Sequence, residues 1–151
     1  MGKPQALELW QRYYVPDIAA FFGEEYKQNV WRTGMKALPE KKIMILLANV
    51  STQELQYPNE FLSASRLKWF SQNQTRQEGK HGRIISGTEG HDVHLFIRRG
   101  NIVSGKVNPL IYCGQPKFVD WTGEKPIEVM WDLPVPAPRA LWAELGIPDN
   151  D

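Results

Sequence analysis

The chain has 151 residues, 18 basic against 17 acidic, for a formal net charge of +1. That length suits one domain with a core of its own, and the charge argues against a histone-like or polyacidic protein. One cysteine, Cys113, rules out an intrachain disulfide and a cysteine-built zinc knuckle, and eleven prolines argue against a long-helix architecture.

Residues 5–14 place Ala6, Leu9, Trp10 and Tyr13 on one helical face, which predicts an amphipathic helix ended by Pro16. Asp17 is positioned to cap a second short helix, Ile18 to Phe22, stopped by Gly23. Lys42 to Val50 reads as a buried strand, and Tyr57-Pro58-Asn59-Glu60 as a turn. From Leu67 the pattern turns to β, with Leu67, Trp69, Ser71 and Asn73 on one strand face. Gln74 to Gly82 reads as a mobile polar loop, Arg83 to Ser86 as a short strand, and Gly87 to Gly90 as a hairpin turn. His91 to Arg99 alternates with a period of two. Leu110 to Cys113, Lys117 to Trp121 and Ile127 to Leu133 give three more strands. Pro134 to Pro138 is expected to form a rigid connector, followed by a short helix from Arg139 to Leu145.

The order predicts an α+β fold. N-terminal helices (1–23) precede a mainly antiparallel small β-barrel or pseudobarrel (42–133), then the connector and terminal helix (134–151), all in a single domain, 1–151. With no crossover helices between strands, parallel βαβ units are not expected. No apolar run reaches ~18 residues and no signal-peptide core is present, so the expected setting is cytoplasmic, with no membrane partner.

Charge is uneven along the chain. Residues 1–65 are neutral, 66–106 carry +5, and 107–151 carry −4. The basic third contains Arg76, Lys80, Arg83, Arg98 and Arg99, a set suited to phosphate contacts.

Catalytic motifs are sparse. Pro16-Asp17 with Glu40-Lys41-Lys42 fits the string of a metal-dependent nuclease. There Asp17 and Glu40 would hold the metal and Lys42 would orient water, yet Asp17 looks like a helix cap. His91 and His94 are three apart on a strand and face opposite sides, so they make no simple metal pair. No nucleophile elbow and no phosphate-binding glycine loop is present, and no cofactor is expected. The most suggestive segment is Trp69-Phe70-Ser71-Gln72-Asn73, followed by Gln74, Thr75 and Arg76. Amide side chains can pair with base edges, and aromatic rings can stack on an exposed base.

Several ordered motifs resemble an uncharacterised domain family. They are Tyr14-Val15-Pro16-Asp17-Ile18, Tyr57-Pro58-Asn59-Glu60-Phe61, Trp69-x-Ser71-Gln72-Asn73, Leu95-Phe96-Ile97-Arg98, Tyr112-x-Gly114, Gly123-x-Lys125-Pro126-Ile127 and Trp131-x-Leu133. That family is commonly appended to the C-terminus of superfamily-two helicases in bacterial restriction and anti-phage defence systems, often beside a phospholipase-D-like nuclease domain. The resemblance implies a DNA partner and a pseudobarrel of the PUA/SRA-like or B3-like type. It also implies a helicase or nuclease as fused domain or partner.

Residues and resemblance together give the expectation of a DNA-binding specificity module that reads a modified or flipped base and has no catalysis of its own. Trp69, Phe70, Ser71, Gln72, Asn73, Tyr112 and Trp121 would form the base-reading pocket, with Arg76, Lys80, Arg83, Arg98 and Arg99 on phosphates. The alternatives are the nuclease reading of Asp17, Glu40 and Lys42, and a docking module for a helicase or nuclease partner. Of the other tryptophans, Trp10 and Trp131 are expected in the core, and Trp31 and Trp142 are unassigned.

Overall fold

A computed structural model describes residues 6–31, 33–50, 56–100, 102–103 and 105–149. The expected helix over residues 5–14 does not form in its described part. The chain runs irregularly to a two-residue strand, β1 (Arg12–Tyr13), which pairs with β9 (Leu110–Gly114). Backbone bonds pin it there: the Trp10 N–H donates to Tyr112 O (2.7 Å) and the Tyr112 N–H to Gln11 O (3.0 Å). Tertiary pairing thus overrides a weak local helical preference. Helix α1 (Val15–Phe21) starts before Pro16 rather than after it. A proline is well placed in a first turn, where its missing N–H leaves nothing unpaired. Asp17 therefore sits inside that turn and is not the cap.

Helix α2 (Gln28–Trp31) and strand β2 (Met35–Leu38) follow, then a 3-10 turn at Pro39–Lys41 and strand β3 (Ile43–Asn49). Strands β4 (Glu60–Ser63) and β5 (Arg66–Phe70) form a hairpin. The next element corrects the sequence reading: Arg83 to Ser86 is not a strand but lies in and just after α3 (Lys80–Ile85). Gly82 explains why a helix fits there. A Cβ at that position would come within 2.1 Å of Arg76 O, so only glycine lets the helix lie against the preceding loop. Gly87 to Gly90 closes this helix rather than a hairpin, with the Thr88 N–H bonded to Arg83 O (3.0 Å). Strands β6 (Asp92–Arg98), β7 (Ile102–Val103), β8 (Lys106–Val107), β10 (Lys117–Thr122) and β11 (Glu128–Asp132) complete the β elements. A 3-10 turn at Arg139–Leu141 runs into α4 (Trp142–Leu145), stopped by Gly146 in the left-handed region.

The fold is α+β, with few helices and mostly antiparallel sheets. One sheet has five strands in the order β1-β9-β6-β3-β2, the other four in the order β10-β11-β5-β4, and β7 pairs with β8. The two larger sheets do not close into a barrel, although the arrangement is compatible with a half-open pseudobarrel. One pairing departs from expectation: β3 and β6, at the centre of the larger sheet, are parallel. The crossover between them is built from the β4–β5 hairpin and α3 instead of one long helix.

Alternation within β3 and β6 sets the layers. Met44, Leu46, Ala48, Val93, Leu95 and Ile97 join a core shared with Leu67, Trp69, Val129 and Trp131 of the four-stranded sheet. Ile45 and Phe96 point the other way, into a second cluster with Ile18 and Ala19 of α1, Phe22 just after it, and Trp31 of α2. The five-stranded sheet is therefore buried on both faces, which is why its central strands read as near-continuous apolar runs.

Folding brings part of the acidic third against the basic third. Strand β11 from the acidic third lies beside β5 from the basic third, and Asp132 pairs with Arg66 (2.8 Å). Glu144 takes a two-pronged contact from Arg12 (2.6 and 2.8 Å). The Pro134 to Pro138 segment is also no free connector: Ala137 is buried and its N–H donates to Ala64 O (2.8 Å).

Candidate nucleic-acid interface

Strand β5 carries Trp69 into the core between the sheets, where it is 4% exposed and its ring lies 6.3 Å from that of Trp131. Phe70, one residue on, takes the opposite face and packs against Tyr57 (5.4 Å). Ser71 is buried and works as a staple. Its hydroxyl accepts the Ile127 N–H (2.8 Å) and donates to Gln72 O (3.1 Å). The Gln72 amide donates to Thr33 O (2.9 Å), while Asn73 is exposed. Thr75, within the stretch expected to be a mobile loop, is buried, and its carbonyl takes the Lys125 N–H (3.0 Å).

The remaining sequence-selected aromatics divide between the two cores. Tyr112 belongs to the cluster under α1, and its hydroxyl meets His94 Nδ1 at 2.8 Å. Burial pushes the Tyr112 phenol up to about 12. Trp121, on the edge strand β10, is half-buried against Phe118 (5.1 Å). Trp121 and Trp69 both pack against the inter-sheet core from the four-stranded sheet, in register through Val129, whereas Tyr112 lies in the cluster on the other face of the five-stranded sheet. Of the other tryptophans, Trp131 is core as expected, Trp31 is buried beneath α1, and the Trp142 indole donates to Ala137 O (2.9 Å). Trp10 is half-buried against the inter-sheet core.

The basic residues divide likewise. Arg76, Lys80 and Arg99 are exposed, and Arg83 is paired with Glu89 (2.9 Å). Arg98 is different. It ends β6 directly opposite Asn49, the last residue of β3. Its Nε donates to Asn49 Oδ1 (3.1 Å) and its Nη1 to Asn108 O (2.8 Å). Burial lowers its pKa, so this guanidinium is partly stripped of water and fixed in direction.

Arg98 and Asn49 line a cleft of about 380 Å³ at the carboxyl ends of the parallel pair, on the helix side of the sheet. Tyr14 at the start of α1, Tyr26 and Trp31 give it aromatic walls, and Gln28 adds an amide. Tyr14 and Tyr26 are 39% and 41% exposed, so their rings are open to a ligand. Gln72 connects the sequence-selected segment to this site, because it holds Thr33, the neighbour of the cleft residue Gly34. A fixed cation, amide groups and open aromatic faces can stack a planar base and bond its edge. Of this set, sequence reasoning singled out Arg98 for a role. The rest come from distant segments, and the one available signal was Tyr14 in the Tyr14-Val15-Pro16 motif.

Nothing gathers Asp17, Glu40 and Lys42. Asp17 is on α1, Glu40 on the 3-10 turn, and Lys42 Nζ reaches Glu89 O (3.4 Å). Among the described residues no group of three or more His, Cys, Asp or Glu side chains could hold a metal ion. Among the same residues no helix is long and apolar enough to cross a membrane. Cys113 is fully buried, and burial pushes its thiol well up, as befits a small core residue.

Fold and cleft define an α+β domain with a ligand-sized aromatic and cationic recess at the ends of its central strands. Residues 7–145 match the family model described as "Domain of unknown function (DUF3427)", and the chain belongs to that family. A search of curated proteins finds no match.

Proposed function

We propose that this chain is a DNA-binding specificity module of a restriction or anti-phage defence system and that it takes a base into the cleft of Tyr14, Tyr26 and Arg98. The observation that carries the reading is this cleft, which is lined by two open tyrosine side chains and a guanidinium held by Asn49 and Asn108. Its volume of about 380 Å³ falls within the range of small-molecule sites. Arg76, Lys80 and Arg99 are free of any burial that would hinder phosphate contact, whereas Arg83 has to exchange Glu89 for a phosphate. Placement at the C-terminus of a helicase, with a nuclease alongside, is the setting that the sequence resemblance implies and forms part of the same proposal. A modified or flipped base is the ligand the cleft would accept; cutting would fall to the partner.

Fluorescence anisotropy with plain duplex, base-modified duplex and single strand tests this. The expected result is binding that weakens steeply with salt, because phosphate contacts release counterions. Loss of affinity in Tyr26→Ala with the fold intact would place a base in the cleft. Absence of binding to every strand at low salt would sink the proposal.

A further inference from the structure

A second cavity, of about 310 Å³, opens between α3 and the β9–β10 turn. It lies at the opposite end of β6 from Arg98, roughly 20 Å away along the strand. Ile84, Ile85 and Phe118 give it apolar walls, and His91 and Trp131 complete the part that matters here. Both ring nitrogens of His91 and the indole nitrogen of Trp131 are buried with no hydrogen-bond partner. Trp131 itself is 1% exposed. Folded proteins pair nearly all such groups. Among the described residues four such side-chain atoms are unpaired: one is Trp10 Nε1, and the other three fall on two side chains of this one cavity.

Their chemistry defines the complement. An indole N–H only donates, and a neutral imidazole offers one donor and one acceptor. The matching ligand edge carries two acceptors and one donor. Lys117 and Asp92 both line the cavity and balance each other, so no net ligand charge is called for. The apolar walls favour a compact flat body. We infer that this cavity is a second binding site, for a small uncharged ring with an amide or lactam edge, held by His91 and Trp131.

Phe118 lines the cavity and packs on Trp131. Its ring meets Trp131 edge-on at 6.3 Å, and β10 is irregular against β11 between Phe118 and Asp120. Irregularities of this kind on edge strands re-aim side chains beside sites. The three nitrogens are covered in this conformation, so the ligand reaches them when a lining ring such as that of Phe118 moves aside. The site is independent of the DNA reading, which rests on the other end of the sheet.

Titration of the ¹⁵N-labelled protein tests the inference. The Trp131 indole signal is identified by its loss in Trp131→Phe. Uridine and nicotinamide serve as free amide-edged rings, toluene as a ring without a polar edge, and a short uridine-containing single strand as the same ring on a backbone. The expected result is that uridine or nicotinamide moves the Trp131 signal with a Kd of about 1 mM or tighter, while toluene does not. His91→Leu should weaken that response about tenfold. Phe118→Ala, which removes the ring packed on Trp131, should bring it to lower concentration and covers the case in which His91→Leu fails to fold. A Trp131 signal unmoved by both free rings at about 10 mM would overturn the inference and leave water as the partner of these groups. A response to the strand without one to free uridine would overturn it as well, since the contact would then be to the backbone.

Discussion

Two regions carry the chemistry that suggests nucleic-acid recognition, and they differ in how they are built. The Trp69 to Arg76 segment is continuous in sequence and rich in aromatic, amide and basic side chains. Folding spends most of it on structure: Trp69 goes into the core, Ser71 staples Ile127, and Thr75 is buried. The cleft is the reverse. Tyr14, Tyr26, Gln28, Asn49 and Arg98 come from β6, the end of β3 and the helical N-terminal part, and none forms a motif with another. A compact motif can be structural, while a site can be assembled from residues that no local pattern joins.

The largest expected effect separates the two regions by stability. Trp69→Ala should cost about 3–5 kcal/mol, the usual range for removing a large core aromatic. The urea midpoint is the readout. Unchanged stability with lost DNA binding would instead return Trp69 to the role of reader and reverse the comparison. The matching experiment on the cleft is Tyr26→Ala. An exposed side chain outside any core should change stability by less than about 0.5 kcal/mol. If its ring stacks on a base, DNA affinity should fall by about 1–3 kcal/mol. Lys80→Gln, measured beside it, should lower affinity modestly and equally for every sequence, and flatten the salt dependence.

The limits of sequence reading follow the same division. Strands β3, β6, β9, β10 and β11 were legible because alternation and apolar runs report burial directly. A helix over residues 5–14 fits the local pattern but does not form, because residues 10–13 are held by β9, a partner a hundred residues away that no local window contains. Ile84 and Ile85, adjacent and both apolar, suit a strand as well as the end of α3, and both are buried. A short helix end wedged beside the core buries neighbours just as a strand between two layers does. The parallel β3–β6 pair was missed because its crossover is a hairpin plus a six-residue helix, which leaves no helical period to detect. The cleft depends on that pairing, since it sets Asn49 opposite Arg98.

Ser71 sharpens the contrast at a smaller scale. Its hydroxyl is the acceptor for the buried Ile127 N–H. Ser71→Ala leaves that donor unpaired and should cost about 1–3 kcal/mol in stability. Cysteine or glycine in its place would not restore the bond, whereas threonine retains an oxygen. Chemical denaturation of the alanine and threonine variants checks this. A Ser71→Ala protein of unchanged stability but altered DNA preference would make Ser71 a reader after all.

The smallest effect concerns the layer beneath the cleft. His94 lies under α1, edge-on to Phe22 (5.0 Å), with its Nδ1 at Tyr112 Oη (2.8 Å). Burial lowers its pKa below the usual 6.5, and Asp92 opposes the shift in part. Tyr112, held up to about 12, stays protonated throughout and supplies no countercharge. Above 6.5 both the folded and the unfolded imidazole are neutral, and the pair contributes fully. As pH falls below that value, the unfolded chain takes up a proton that the folded chain resists, so stability declines until the folded pKa is also passed. One proton sets the upper limit of this slope at about 1.4 kcal/mol per pH unit. His81 shifts in the same direction, through burial and the neighbouring Lys80, so the wild-type slope contains both. Urea denaturation between pH 7.5 and 5, about the span over which a histidine responds, should show a shallower decline in His94→Asn than in wild type. Equal slopes would mean that the imidazole is already hydrated beneath α1. The helix layer would then be looser than the inter-sheet core, and the cleft above it would be a less rigid frame for a base.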